Sequence, residues 1–380
     1  MRFLERIVSF TRAFTHAYAL AAALGAAGVA STQAAGEVEG LPPGADAIIS
    51  INLKDARSKP DFDQNYVRIR EQVGPADSRK LDEFIAKTGF DPIRQIDTAT
   101  VGLYFKPNAG PGEGPDVAVA LKGQFAGDKI MAAFADYAAA DGGTITSQTV
   151  KGTTLYAIKK NEADQSPAFV AFPKPNMTVF ANTQAGIDKA VAEAKSGAAT
   201  AFKPAIKALL PAVQTNAVIW GAGVIPASVR KSQAPDPGGR PGAPDSPSKK
   251  IEDFSFSLDP LNGFALKVSL GCEDTTSAAR IKNQIDAVRM SIGGMMMMGG
   301  NMPPETAAKV TGILQKFQTA ASERQVDISF NLTQQELDDL TKLFESMRNQ
   351  AGPERGPGAG PGAGHGAGPG GGPGSAPPGF

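Results

Sequence analysis

Histidine is nearly absent from this chain. Only His16 and His365 occur in 380 residues. The first falls in an N-terminal apolar stretch and the second in a Gly/Pro-rich tail, so the folded body holds none. That excludes Ser-His-Asp and Cys-His catalysis within the body, and with it the usual histidine-based zinc sites. Cysteine is reduced to Cys272. No intrachain disulfide can form, so the core holds without covalent staples. At the end of the apolar run FALKVSLGC, Cys272 reads as a small buried hydrophobe rather than a nucleophile. An excess of one charge is missing as well. Lys+Arg and Asp+Glu stand at 38 each, so no strong field gathers nucleic acid or an anionic membrane. No G-x-G-x-x-G or G-x-x-x-x-G-K-[ST] loop lies between a strand and a helix, which leaves nucleotide cofactors unsupported. No cofactor is expected.

What is present begins at the N-terminus. Arg2, Arg6 and Arg12 precede the apolar run AYALAAALGAAGVA, residues 17–30, and the small-residue stretch STQAAGE follows. Basic, apolar, small is the order of a secretory signal peptide. The expected cut lies after Ala34, with Ala30 the alternative site and an uncleaved anchor helix the competing reading. The mature chain is then extracytoplasmic, periplasmic or secreted. Beyond the signal no run is long and apolar enough to cross a bilayer, so no transmembrane span is expected in the mature chain.

Residues 35–43 read as a polar leader, with Pro42, Pro43 and Gly44 marking the start of the folded part. DAIISINL, residues 46–53, is rich in β-branched residues and predicts a strand. Helical material is expected over 62–72 and 77–87. Residues 97–138 then give IDTATVGLYF, PDVAVALKGQF and AGDKIMAAFADYA: two strands that alternate apolar residues, and an amphipathic helix. In the second strand Val117, Val119 and Leu121 take one face. Ala118 and Ala120 take the other, a face small enough to accept a helix closely. The loop between the strands suits antiparallel pairing. TITSQTVKGTTLYAI predicts a hairpin through Lys151-Gly152, and MTVFAN runs into a helix capped by Thr183.

The order then recurs. TNAVIWGAGV echoes DAIISINL, and IEDFSFSLDP, NGFALKVSLGC and TTSAARIKNQIDAVRMSI echo 97–138. A helix is expected over 304–320. QVDISFNL and TQQELDDLTKLFESM close the unit, with Thr333 and Glu336 placed to form a capping box. The fold class is therefore α+β: two related units of antiparallel sheet with helices packed on one side, arranged as a pseudo-twofold repeat. The expected limits are 44–200 and 201–347. The second unit carries a disordered insert at 232–248, SQAPDPGGRPGAPDSPS, and the Gly/Pro/Ala-rich segment 348–380 forms a disordered tail.

Candidate chemistry is sparse. Asp253, Asp259 and Glu273 lie near strand ends, and a convergent pair would suit carboxylate acid–base work; solvated strand ends are the plainer reading. Serines near lysines, in KSQ at 231–233 and SPSKK at 246–250, fall in or beside the insert, a poor place for a preorganised nucleophile. Gly221 and Gly223 follow a strand and mark a bend or close packing. MSIGGMMMMGGNMPP is the most unusual segment. Met290, Met295, Met296, Met297, Met298 and Met302 crowd between two predicted helices, and thioethers are soft ligands for Cu(I) or Ag(I). A flexible apolar connector or contact loop is the competing assignment.

The signal segment followed by LPPGADAIISINL, then GFDPIRQIDTATVGLYF and DVAVALKGQFAGDKI, resembles poorly characterised exported bacterial proteins built from two divergent α+β repeats. The resemblance covers about 41–346. It implies fold class and compartment, and brings no catalytic or binding residue. The expected function is a non-enzymatic binding or scaffolding module of the cell envelope with an envelope protein partner. The alternatives are a carboxylate-dependent envelope hydrolase and a methionine-loop Cu(I)/Ag(I) binding protein.

Overall fold

AIISIN, Ala47–Asn52, forms a strand buried on both sides, β1. Apolar residues in unbroken succession are what a central strand needs. The structure, a computed structural model, describes residues 38–340 and 342, apart from 59–61, 64–65, 68–69, 71–74, 108–113, 141, 160, 162–166, 233–246, 261–262 and 299–303. After β1 come α1 (Leu53–Arg57), α2 (Pro75–Thr88), α3 (Pro92–Gln95), β2 (Ile96–Tyr104), β3 (Asp116–Gly123) and α4 (Gly127–Ala140). Next are β4 (Thr144–Val150), β5 (Thr153–Lys159), β6 (Ala168–Lys174), β7 (Met177–Ala181), α5 (Gln184–Ser196) and α6 (Pro204–Leu209). The chain continues through β8 (Ile219–Val224), α7 (Ala227–Ser232), β9 (Ile251–Asp259), β10 (Phe264–Cys272), α8 (Thr275–Met298), α9 (Pro304–Lys316), β11 (Gln318–Ser322) and β12 (Gln325–Leu332). Residues 334–340 are helical.

The strands build one 12-stranded sheet, in the order β11-β12-β10-β9-β8-β1-β2-β3-β7-β6-β5-β4. Every pairing is antiparallel. β1 pairs on one side with β2, Ile49 opposite Val101, and on the other with β8, Ile49 opposite Gly221. The sheet thus continues unbroken from DAIISINL to TNAVIWGAGV.

Helices pack on both faces of the sheet, where one covered side was expected. On the first face α5 lays Ile187, Ala190, Val191 and Ala194 against Ala118, Ala120, Val179 and Ala181. The small side chains of β3 let the helix approach, as the sequence alternation implied. Thr183 caps α5 by accepting a hydrogen bond from Gly186 N at 3.1 Å, and Gly197 ends it at φ +67°. On the second face α2 and α4 place Phe84, Ile130 and Ala133 over Leu121, Ala99 and Ile96. Further along that face α8 covers Val326 and Cys272 with Ala278 and Ile281. The reason for double coverage is visible in β3, where both alternating sets, Ala118/Ala120 and Val119/Leu121, are apolar. A strand of that composition leaves an apolar surface in water unless both of its sides are packed.

The polar leader is also part of the core. Val38 and Leu41 are buried among Met177, Val179 and Trp220, and Thr200 N donates to Val38 O at 2.6 Å. Tyr104 donates its hydroxyl to Pro42 O at 2.6 Å.

The helix expected over 304–320 stops at Lys316, and residues 318–322 form the edge strand β11 instead. A tight turn through Glu323, at φ +49°, folds β11 back on β12. QTAAS has too few apolar or β-branched residues to announce a strand; tertiary pairing decides it. Of the expected insert, 233–246 lie outside the described residues, while Pro247–Lys250 make a 3-10 turn. The signal and the 348–380 tail also lie outside the described residues.

The capping box at the final helix is formed. Thr333 N donates to Glu336 Oε2 at 2.9 Å, and Glu336 N donates to Thr333 Oγ1 at 3.4 Å. Lys316 adds a hydrogen bond to the same carboxylate at 2.6 Å. That lysine, then the Thr333 amide, pull the Glu336 carboxyl down from its ordinary 4.5 to about 2. A folded-state pKa below the unfolded one adds stability at higher pH, and that stability is lost as pH falls through the folded value. In thermal melts, wild type should therefore exceed Glu336→Gln near neutral pH. The gap should start to close below the ordinary glutamate value and vanish as pH drops through about 2.

Candidate functional site

β8 reads IWGAGV, and its glycines organise the middle of the second face. A Cβ built on Gly221 would sit 2.5 Å from Phe256 Cε1, and one on Gly223 2.6 Å from Phe254 Cε1. The rings of β9 lie flat across β8 in the space a side chain would take. Close packing is thus the reason for these glycines.

The rings belong to a band that crosses the sheet. Val119, Val101, Ile49, Gly221, Phe256 and Val268 are successive cross-strand partners from β3 to β10. A neighbouring row runs Val117, Leu103, Ala47, Gly223, Phe254 and Leu270. Leu258 opposite Leu266 extends the band on the β9–β10 side. Because strand side chains alternate, register places all of these on one face. The α2–α4 layer flanks the band at Leu121, Ala99 and Ile96, and α8 flanks it at Leu270 and Ile328. Between those flanks Ile49, Val101, Leu103, Val119, Phe254, Phe256, Leu258, Leu266 and Val268 are all half-buried. Ile49, Val119, Phe256 and Leu258 pack against the α2–α4 cluster, and the part of the band that stays accessible is apolar throughout, the composition of an interaction surface. No single residue of the band stands out in the sequence. It becomes visible only when the register aligns the strands.

The carboxylates singled out from sequence do not converge. Asp253 and Asp259 occupy opposite ends of β9, roughly 20 Å apart at the usual strand rise. Burial pushes the Asp253 carboxyl up, with the neighbouring Glu252 charge adding to it. Glu273 is held by Lys250 at 2.9 Å and Arg230 at 3.8 Å. Glu252 pairs with Arg230 at 3.1 Å and with Arg324. Arg324 also donates to Cys272 O at 2.8 Å. This network ties β9, β10 and the β11–β12 turn together at one end of the sheet. Its acids are matched by bases, which is the chemistry of a clasp. Sequence reading missed it because its members come from separate segments. Cys272 is buried as expected, and burial pushes its thiol up, with Asp253 and Asp274 in support. A thiol so placed is a weak nucleophile. Of the Ser–Lys groupings, Ser232 ends α7 and Ser248 lies in the 3-10 turn. The side chains of both, and all of Ser246, lie outside the described residues.

The methionine segment is not wholly a connector. α8 runs through Met298, so Met295, Met296, Met297 and Met298 form its last turn. Met290 lies on the same helix and is 67% exposed. The side chains of Met295–Met298, and all of Met302, lie outside the described residues. Among the described residues no group of His, Cys, Asp and Glu is placed to hold a metal ion. No described helix is long and apolar enough to cross a membrane.

No family model matches the chain, and no curated protein does. Among solved structures it is similar to that of crystal form I of TP0453. The likeness has 10% identity and a TM-score of 0.39, and covers 82% of this chain and 99% of that one. A likeness at this level transfers no function.

Proposed function

We propose that this chain is an exported, non-enzymatic binding protein whose apolar band meets an envelope partner. The observation that carries the reading is the band itself: register-aligned valine, leucine and phenylalanine side chains, half-buried between two helical flanks. The basic, apolar, small order of residues 2–36 supports export. Acids that are ion-paired or spread along the sheet support a binding role over carboxylate hydrolysis.

Strand order supports the reading of two related units joined back to back. Outward from the β1–β8 contact run β1-β2-β3-β7 on one side and β8-β9-β10-β12 on the other. In each half a helix follows the third strand, α4 and α8, and another follows the fourth, α5 and 334–340. The band spans the junction between the halves, so a partner there reads both.

The test uses the chain from Ala35 onward, which holds every described residue, immobilised against detergent-solubilised envelope extract. Saturable retention of a partner is expected. Val268→Glu, which places a charge in the band, should abolish retention while leaving the far-ultraviolet spectrum unchanged. Equal retention by both proteins overturns the reading, as does turnover of an envelope substrate by the purified chain.

A further inference from the structure

The sheet has open ends, and one of them lacks the usual protection. Edge strands avoid pairing with other chains through charge, proline, bulges or shortness. β4, TITSQTV, carries no charged residue and no proline. It pairs with β5 without interruption from Thr144 opposite Lys159 to Val150 opposite Thr153. Thr146, Ser147, Gln148 and Thr149 are consecutively exposed, and among the described residues no strand pairs beyond β4. At the other end of the sheet β11 is shorter, and the Thr319 hydroxyl is engaged with Asp286 at 2.5 Å.

The β4–β5 turn fixes which backbone groups point outward. Lys151 and Gly152 both have positive φ, 48° and 71°, the conformation of a two-residue I′ hairpin. Such a turn closes on a hydrogen-bonded pair, here Val150 with Thr153. Bonding alternates along an antiparallel ladder. Val150, Gln148, Thr146 and Thr144 therefore bond inward to β5. The N–H and C=O groups of Ile145, Ser147 and Thr149 face the open edge.

We propose that β4 is a dimerisation edge, pairing antiparallel with β4 of a second copy of this chain about a twofold axis at Ser147. That register opposes Ile145 to Thr149, Thr146 to Gln148 and Thr144 to Val150. It places β-branched residues opposite one another, a favourable cross-strand pairing, and no like charges meet. The outward-facing groups of one strand are those the other requires. The same surface on each partner closes the assembly at two copies. The flanking layers lie on the faces of the sheet: α4 packs over β4, β5 and β6 through Met131, Ile145, Ile158 and Val170, and α5 lies against β6, β7 and β3, while Thr146–Thr149 stay exposed beside them. This proposal is independent of the apolar band.

Sedimentation velocity on the chain from Ala35 onward, at concentrations of roughly 1–100 μM, should show a reversible monomer–dimer equilibrium. Ser147→Lys and Ser147→Glu, each meeting its own like charge at the axis, should raise the dissociation constant about tenfold or more. Mixing the two variants should restore dimers. Ser147→Pro removes an outward N–H without touching the β5 ladder, and should leave a monomer with an unchanged melting temperature. The proposal is overturned by a wild-type monomer throughout, by dimers that persist in Ser147→Pro, by mixtures that stay monomeric, or by growth beyond dimers.

Discussion

Leu41→Ala is expected to lower the free energy of unfolding by about 2–5 kcal/mol, the cost of emptying a fully enclosed leucine site. Leu41 is completely buried, in the cluster that joins the first face of the sheet to α5 and α6. The segment around it is tied down along its length. Thr200 donates its amide to Val38 O and its hydroxyl to Leu41 O, and Gly44 N donates to Ala201 O. Such a site has little freedom to collapse around a missing side chain, because neighbours on both sides of the segment are fixed by strands and helix. The upper half of the range is therefore expected. Denaturant titration of wild type and variant checks it through the transition midpoint at unchanged slope. A loss below about 1 kcal/mol would mean that residues 38–44 are an appended strap rather than core.

The second large effect concerns the band. Gly221→Ala should destabilise the protein by about 1–3 kcal/mol, the usual penalty for forcing atoms into a filled core. At an unconstrained strand position the same change is stabilising, because alanine restricts the unfolded chain. The sign thus reports the Phe256 ring, which lies 2.5 Å from the new Cβ, and the Ile48 carbonyl oxygen at 2.9 Å. A double-mutant cycle with Phe256→Ala isolates the ring's share: the penalty should shrink once the ring is gone. Equal penalties in both backgrounds would assign the clash to the Ile48 backbone alone. Because Phe256 must lift from the sheet, Gly221→Ala is also expected to weaken retention of the envelope partner in the capture assay.

Much of the fold was legible in local chemistry. β-branched and aromatic runs marked β1, β2, β3, β9 and β10, and turn residues such as Lys151-Gly152 marked the hairpin. Thr183 and the Thr333–Glu336 box marked helix starts. These signals are readable because they act between residues close in the chain, where backbone propensity and capping hydrogen bonds do not depend on distant partners. β11 was not legible, since QTAAS becomes a strand only through β12. Nor was the path of α8 through Met298, because a run of glycine and methionine carries no helical period to follow.

The sequence alone determined the α+β class, the absence of histidine chemistry in the body and the absence of a disulfide. Only the tertiary structure decided how the segments are used. It joined β1 to β8 within one sheet and drew Val38 and Leu41 into the core. It laid the rings of Phe254 and Phe256 over the glycines of β8. It matched Glu252 and Glu273 with bases from distant segments. The physical reason is the same in each case. Register across strands far apart in the chain sets which side chains share a face, and that register is a property of the packed sheet rather than of any one segment.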